Sequence, residues 1–456
     1  MKKLLGSTLA LGLLFPAVAN AELLKNLKLS GDLEVDATQL NNGTDFSKTP
    51  YEDVGAVQTR LMLSADWDVL DDVHGRVTLV KNDRTWGSAP QAVGGTAGSI
   101  EANVIAQEAF VKIDNLFGSV ALKAGRQYYG EAGDNVIYFG PRNDFGLTVT
   151  AIDGANFVWS GDKLSANVLL GTITGTGLAT NTGSASVMGV NVTAKPSDNL
   201  SGSAFFYDKN TVNSGSAGAG TGTTADDILY VAGVKAKATM GGAWVKGEID
   251  KDFGQNRPAT NTKDSNYDGW AAIVNAGDKV DTGMGAVTGW GTAEVGSGGV
   301  RGSQTFQGIA GDNRPGGIAG RFWSGAGGST DLGSGGGAIS GPVDNGGSIG
   351  DRVDVGVGAK VTPSAANKLT VGVSAWNYRV QQAQTLNAAA NGNKMLGTEG
   401  DIDLNWQHNE NVSADAGVGR FWPGGAYGNS QTGTAGLNSA NLAYADIHIK
   451  FGGSSN

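Results

Sequence analysis

The sequence predicts an all-β fold: a transmembrane antiparallel β-barrel of about eighteen strands. Three observations carry this. Segments along the whole chain alternate apolar and polar residues with a period of two, which marks a strand with one dry face. The connections between them are short and long in turn, as in a membrane barrel with tight turns at one rim and extended loops at the other. The chain also opens with a secretory signal, yet none of its 456 residues is cysteine. A secreted chain of this size must then be held by backbone pairing and packing alone. A closed barrel supplies that pairing, because every strand has two neighbours.

Lys2 and Lys3 form the positive end of the signal, Leu4 to Val18 is its apolar run, and Ala19-Asn20-Ala21 is a small-x-small cleavage site. Residues 1–21 are therefore expected to be removed, with the mature chain starting at Glu22. The apolar run is shorter than the roughly 20 residues a spanning helix requires, and no later run approaches that length. Without Lys2 and Lys3, the 33 basic residues fall to 31 against 43 acidic ones, a net charge of −12. That balance excludes a nucleic-acid partner, whose phosphates require clustered Lys and Arg.

The first strand is Leu27 to Ala37, where Leu27, Leu29, Leu33 and Val35 alternate with Lys28, Ser30, Asp32, Glu34 and Asp36. The second runs from Ala56 to Trp67, and Leu70-Asp71-Asp72 turns it into the third, Val73 to Val80. The clearest stretch follows, Asn103 to Leu170. In it Ile105, Ala109, Val111 and Ile113 oppose Glu108, Phe110 and Lys112. Val120, Leu122 and Ala124 then oppose Ala121, Lys123 and Gly125. Two further strands there hold Ala155, Phe157 and Trp159, then Leu164, Ala166, Val168 and Leu170. The eighth to eleventh strands are Val187 to Ala194, Leu200 to Tyr207, Ile228 to Ala238 and Ala243 to Asp250. Weaker alternation marks the twelfth, Trp270 to Ala276, and the thirteenth, Gly285 to Val295. Without those two the count is sixteen. The last five are Val353 to Val361, Leu369 to Tyr378, Asp401 to Gln407, Val412 to Phe421 and Leu442 to Phe451. Connections after even-numbered strands are short and those after odd-numbered strands long. The barrel therefore spans residues 22–451, with a tail of 452–456 and both termini at the turn side.

One connection stands out. Gly296 to Asp351 is mostly Gly, Ser and Asp, interrupted by Arg301, Arg314 and Arg321 and by Phe306, Phe322 and Trp323. Loops of this length are functional or disordered. Its composition fits a flexible surface loop, whereas its aromatics require somewhere to pack and fit a lid or plug over the lumen. The final strand ends its apolar face on Ile447, Ile449 and Phe451. A terminal aromatic of this kind resembles the signal read by the outer-membrane barrel assembly machinery, although Gly452 to Asn456 follow it here.

Inward positions carry both signs. Among them are Lys28, Arg60, Arg76, Lys112, Lys123, Lys360 and Lys450, with Asp32, Glu34, Asp36, Glu108, Asp354, Asp401, Asp403 and Asp415. A solvated channel needs such a lining, and lipid forbids charges on the other face in any case. The histidines are His74, His408 and His448. With no Cys, the residues offer no zinc set and no cofactor motif. His448 faces inward beside Asp446, but no motif places an activated serine there, so a catalytic role is not expected.

Leu122-Lys123-Ala124-Gly125-Arg126-Gln127, followed by Tyr129-Gly130, resembles a strand motif of the alginate-export family of outer-membrane β-barrels. Ile152-Asp153-Gly154-Ala155 and Gln107-Glu108-Ala109-Phe110 resemble its neighbouring strands. The resemblance covers Ala106 to Leu170. It implies a monomeric barrel in the outer membrane that passes a hydrophilic solute or polysaccharide, with Glu108, Lys112, Lys123, Arg126, Gln127 and Arg142 near the solute path. Alternation from Leu122 would turn Arg126 toward lipid. A bulge at Gly125 would re-aim it inward, whereas a position at the rim would leave it outside. The leading expectation is therefore a passive outer-membrane channel in the lipid bilayer. A structural barrel that sheathes or anchors a periplasmic partner, such as an electron carrier, is the alternative.

Overall fold

A computed structural model describes residues 26–43, 46, 53–86, 104–173, 185–214, 224–256, 265–299, 304–322, 347–382, 392–427 and 437–452. The signal segment, Arg301, Trp323 and the tail beyond Gly452 lie outside these residues. Eighteen strands follow the chain. They are β1 Leu27–Asn41, β2 Val54–Leu70, β3 Val73–Thr85, β4 Ile105–Leu116, β5 Val120–Gln127 and β6 Ile152–Ser160. Then come β7 Leu164–Ile173, β8 Ala185–Ser197, β9 Leu200–Ser214, β10 Thr224–Met240 and β11 Ala243–Asn256. β12 is interrupted, Ser265–Tyr267 and Trp270–Thr282, and β13 is Gly285–Gly296. β14 Arg352–Pro363, β15 Leu369–Val380, β16 Met395–Asn409, β17 Val412–Pro423 and β18 Ala440–Gly452 complete the wall.

Each strand pairs antiparallel with its chain neighbours, and β18 returns to β1 in register from Ser30↔Gly452 to Asn41↔Asn441. That pairing closes the barrel and leaves no sheet edge. β12 and β13 pair from Ala271↔Gly296 to Thr282↔Gly285, so the count is eighteen and not sixteen. Their alternation is weak because Gly289 and Gly291 fall on the outward face of β13, where valines would otherwise mark it. Several strands run further toward the loop rim than their alternation does. Backbone pairing continues there above the apolar band, where the side chains no longer have to be sorted.

The wall is inverted relative to a protein in water. Outward side chains are apolar and exposed: Val355 is 47% exposed, Val357 57%, Ile249 62% and Ile402 50%. Inward charges are covered: Asp36, Asp250, Asp354 and Arg352 are each 1% exposed or less. On β14 the outward row Val353, Val355, Val357, Ala359, Val361 spans eight residue steps. At about 3.4 Å per step and a tilt of about 40° it covers about 21 Å of height, close to the hydrocarbon band of a barrel. Trp67, Trp159, Trp406 and Phe451 lie toward the turn ends of their strands. Phe206, Tyr230 and Phe253 cluster further up the outer wall, with ring centroids 5.3–6.1 Å apart. Trp270 and Trp422 lie at similar height. These are the two aromatic girdles of a membrane barrel.

Many of the 74 glycines are seats for aromatic rings on neighbouring strands. A Cβ on Gly31 would lie 2.2 Å from the Phe451 ring, one on Gly356 2.5 Å from Trp376, and one on Gly417 2.4 Å from Tyr444. A ring laid over a glycine shields its backbone and pins the register. The pattern is legible in sequence only once the pairing is known.

Candidate functional site

The barrel is filled near its loop rim by its own connections. One is the segment 128–151 between β5 and β6. The other is the segment 297–351 between β13 and β14, of which 304–322 and 347–351 are described in the interior. Their backbones zip together. Tyr138 N donates to Ala310 O at 2.7 Å, Ile309 N and Ala310 N to Val136 O at 2.8 and 3.0 Å, and Asp312 N to Asp134 O at 2.6 Å. Asn313 N donates to Gly347 O at 2.6 Å. Phe145 stacks on Phe322 with centroids 5.2 Å apart.

Both loops are moored to inward side chains around the circumference. For the first loop, Arg60 of β2 donates to the carbonyls of Arg142 and Leu147, and Asn135 Nδ2 donates to Asp250 of β11 at 2.9 Å. Lys235 of β10 pairs with Asp134, and Tyr129 meets Tyr207 of β9 through their hydroxyls at 3.0 Å. For the second loop, Lys209 of β9 donates to Ile309 O at 3.0 Å, and Asn313 Nδ2 donates to Glu294 of β13 at 2.7 Å. Glu399 of β16 accepts from Ile318 N at 2.6 Å and Ala319 N at 3.2 Å, which are the first amides of a short helix, Ile318–Phe322. Apolar side chains complete the mooring. Ile309 and Phe306 join Ile137, Phe139 and the β7–β12 wall, while Ile318 and Phe322 join Leu40, Phe421 and Leu442.

The arginines of this region are matched by carboxylates. Arg60 pairs with Glu34, Arg321 with Asp36 at 3.0 Å, and Arg352 with Asp354 at 2.7 Å. Arg314 lies 2.7 Å from Asp312 and 3.6 Å from Asp144, and Arg142 lies 3.8 Å from Asp312. Burial holds the Arg142 guanidinium below its ordinary pKa, against the opposite pull of Asp312. Burial likewise raises Tyr138, with Asp312 adding to the rise.

The residues singled out from sequence separate into groups. Arg142, Arg314 and Arg321 are in the interlocked loops; Asp354, on the wall, holds Arg352, which donates to Asn313 of the second loop at 3.2 Å. Lys112 and Lys123 face the lumen below, toward the turn side, and Glu108 faces it higher on β4, one residue from the rung that carries Arg126. Lys123 lies 4.1 Å from the Phe110 ring centroid and 3.8 Å from Glu108, and Lys112 is 2.7 Å from Asp114. Lys112 and Lys123 line a cavity of about 1390 Å³ with Arg76, His74, Asp66 and Asp68. Lys360 is exposed on the same face of β14 as Asp354. Gln127 is fully buried and donates to the carbonyls of Lys123, Gly125 and Gly154 at 3.0–3.3 Å, so it fastens the exit of β5. Phe451 is outward, over Gly31.

Arg126 differs from the inward reading. The β4–β5 and β5–β6 ladders run without an extra residue through Gly125, pairing Ala109↔Arg126 and Arg126↔Asp153. Arg126 therefore shares the outward face with Leu122. It sits at the rim, bonded to Asp153 at 2.8 Å and to Gln107 at 3.3 Å. Gly125 has φ +129°, and a Cβ there would lie 2.2 Å from Ala109 O, so the glycine is required by close strand approach and not by a bulge. The inward course of 128–151 was missed by sequence reasoning. Its signal was the apolar run Val136-Ile137-Tyr138-Phe139, which a solvated loop would not carry.

No family model and no curated protein matches the chain. Among solved structures it is similar in fold to two Pseudomonas aeruginosa proteins. One is OccK11 (OpdR), at 8% identity and TM-score 0.55 over 95% of this chain and 98% of that one. The other is the outer membrane protein OprD, at 12% identity and TM-score 0.53 over 93% of each chain. OpdK, solved with vanillate, matches at 9% identity and TM-score 0.54 over 94% of this chain and 100% of that one. The chain thus has the fold of these barrels, a porin-like closed antiparallel barrel.

Proposed function

We propose that the protein is a channel of the cell outer membrane through which small hydrophilic solutes diffuse, narrowed by its two interlocked loops. The carrying observation is the combination of an apolar outer wall with a charged lumen that folds its own loops inward. A barrel serving only as a sheath or anchor for an electron carrier would need its lumen free. Here wall strands from β1 to β16 use their inward side chains to hold the loops in that space. The likeness to OccK11, OprD and OpdK supports a porin-type reading. One copy closes its own barrel, which supports a monomer as the working unit. His74 is held between Asp68 and Asp114, and His448 against Asp32.

Export of a polysaccharide is the second reading, supported by the resemblance of Leu122 to Gly130 to the alginate-export motif. A polyanion would need a lane of basic side chains free to meet it. The arginines of the narrowed region are instead paired with carboxylates, which favours a small solute. Conductance in a planar bilayer, together with liposome swelling by neutral sugars of increasing size, tests this. Steps of conductance with a sharp size cut-off are expected. A protein that inserts but conducts nothing refutes the channel reading, and passage of anionic oligosaccharides in preference to small sugars would favour export.

A further inference from the structure

We infer that the lumen wall of β1, β18 and β17 holds a site for a guanidinium- or ammonium-bearing solute, centred on Asp446. The inference rests on the channel reading above. Pairing places Asp36, Asp446 and Asp415 side by side on one rung across three adjacent strands, flanked by Gln58 on β2 and Asn405 on β16. All share the inward face. Like charges on one rung repel unless a cation joins them.

The donors nearby are already engaged. Among the cations, Arg60 serves Glu34 and His448 serves Asp32 on the turn side, and the Tyr444 hydroxyl donates to Asp403 at 2.6 Å on the loop side. Arg321 of the inserted helix reaches only the first of the three carboxylates, Asp36. Asp446 is 9% exposed, and its Oδ1 has no hydrogen-bond partner among the described residues. The carbonyl Oε1 of Gln58, itself 7% exposed, has none either. Buried oxygens of this kind lack a donor, and their desolvation is uncompensated until one arrives.

Arg321 indicates which donor fits. Its guanidinium lies 4.1 Å from the Tyr444 ring centroid while it bonds Asp36, so this wall already receives one planar cation between a carboxylate and an aromatic face. Asp446 and Asp415 offer the next place on the same rung without a resident cation. Among the described residues no three carboxylates or histidines are set to grip a metal ion. Asp415 is partly exposed, so a solute reaches the rung from the lumen below the helix.

The test is guanidinium chloride added to the protein in a planar bilayer bathed in KCl, with equal NaCl as the control. Guanidinium is expected to interrupt the current where sodium does not. In Asp446→Asn/Asp415→Asn the half-blocking concentration is expected to rise about tenfold. Arg321→Met, which vacates Asp36, is expected to lower it. Folding of each variant is checked by its heat-dependent gel mobility, and Asp415→Asn alone, at a partly exposed position, provides a milder variant with a smaller expected rise. A conducting wild-type channel that guanidinium does not block overturns the proposal and leaves the channel reading standing. Block unchanged in the Asn variants, or block by sodium as well, does the same. An inserted protein without conductance overturns both.

Discussion

Glu399 is the point at which one atom change should loosen the inserted helix. Its carboxylate is 2% exposed and accepts three hydrogen bonds, from Ile318 N at 2.6 Å, Ala319 N at 3.2 Å and the Tyr378 hydroxyl at 3.0 Å. A hydrogen bond contributes about 0.5–1.5 kcal/mol net, and a buried donor left without its acceptor costs about 1–3 kcal/mol. Glu399→Gln keeps one acceptor oxygen but turns an NH₂ either toward the Ile318 N–H or toward the Ala319 N–H and the Tyr378 hydroxyl. A loss of about 2 kcal/mol in docking is expected, which is about a thirtyfold rise in the open fraction of the loop. Glu399→Ala removes both acceptors and should cost about 3 kcal/mol or more, over a hundredfold. Amide hydrogen exchange at Ile318 and Ala319 reads local opening directly. Those amides should exchange faster by these factors while β14 amides stay protected, and single-channel traces should become noisier with excursions to higher conductance. Unchanged exchange in both variants would refute the reasoning. The Arg321–Asp36 pair and the packing of Ile318 and Phe322 would then hold the helix without Glu399.

Other outcomes follow from the same geometry. Replacing residues 304–322 by a short Gly-Ser turn should raise single-channel conductance; an inserted variant with native conductance would show that the ion path avoids these loops. Lys123→Glu should shift the reversal potential in a KCl gradient toward cations, whereas Arg126→Glu, at the outer rim, should leave it unmoved. Equal shifts would mean that Arg126 reaches the lumen after all. Phe451→Ala should lower the fraction of protein reaching the membrane, because it strips the ring from Gly31 at the closing seam. Insertion at the native level would show that neither the ring nor the terminal aromatic matters for assembly.

The wall was legible because a lipid-facing strand has no freedom in its pattern. Val353 to Val361 alternates without a break, since a charge at mid-membrane would cost about 2–4 kcal/mol. β13 was harder to read because outward glycines are tolerated by lipid but invisible to a hydropathy count. Above the band the constraint lapses, so the loop-side extensions of β2 and β10 could not be delimited. The interior was less legible for a different reason. Arg314, Arg321 and Phe322 were flagged within a long Gly-rich connection, but whether they pack depends on partners such as Asp36, Asp144 and Phe145, which lie far off in sequence. The loop 128–151 drew attention only to Arg142 and to the motif residues Tyr129 and Gly130, although its Val136 to Phe139 run is the part that enters the core. Arg126 was misplaced because adjacency to glycine suggested a bulge. The glycine instead lets two strands approach, and an ion pair with Asp153 makes the rim position tolerable.

The division of charge inside the barrel bears on how such a channel would select. In the narrowed region Arg142, Arg314, Arg321 and Arg352 lie within 4 Å of carboxylates. A close pair of opposite charges has a field that falls off faster than that of either charge alone. Salt shortens its reach further, to about 10 Å at 0.1 M. At these arginines a solute passing the loops therefore meets fixed hydrogen-bonding groups and a limit on size instead of free cations. On the lumen wall the balance differs from side to side. Lys112 and Lys123 line a cavity beside β4 and β5, and Asp446 and Asp415 lie on β18 and β17. Charge discrimination then belongs to the wall and size discrimination to the loops. The two should separate experimentally: removal of 304–322 changes the size limit, while Lys123→Glu shifts the reversal potential toward cations and Asp446→Asn shifts it toward anions, each with the size limit unchanged.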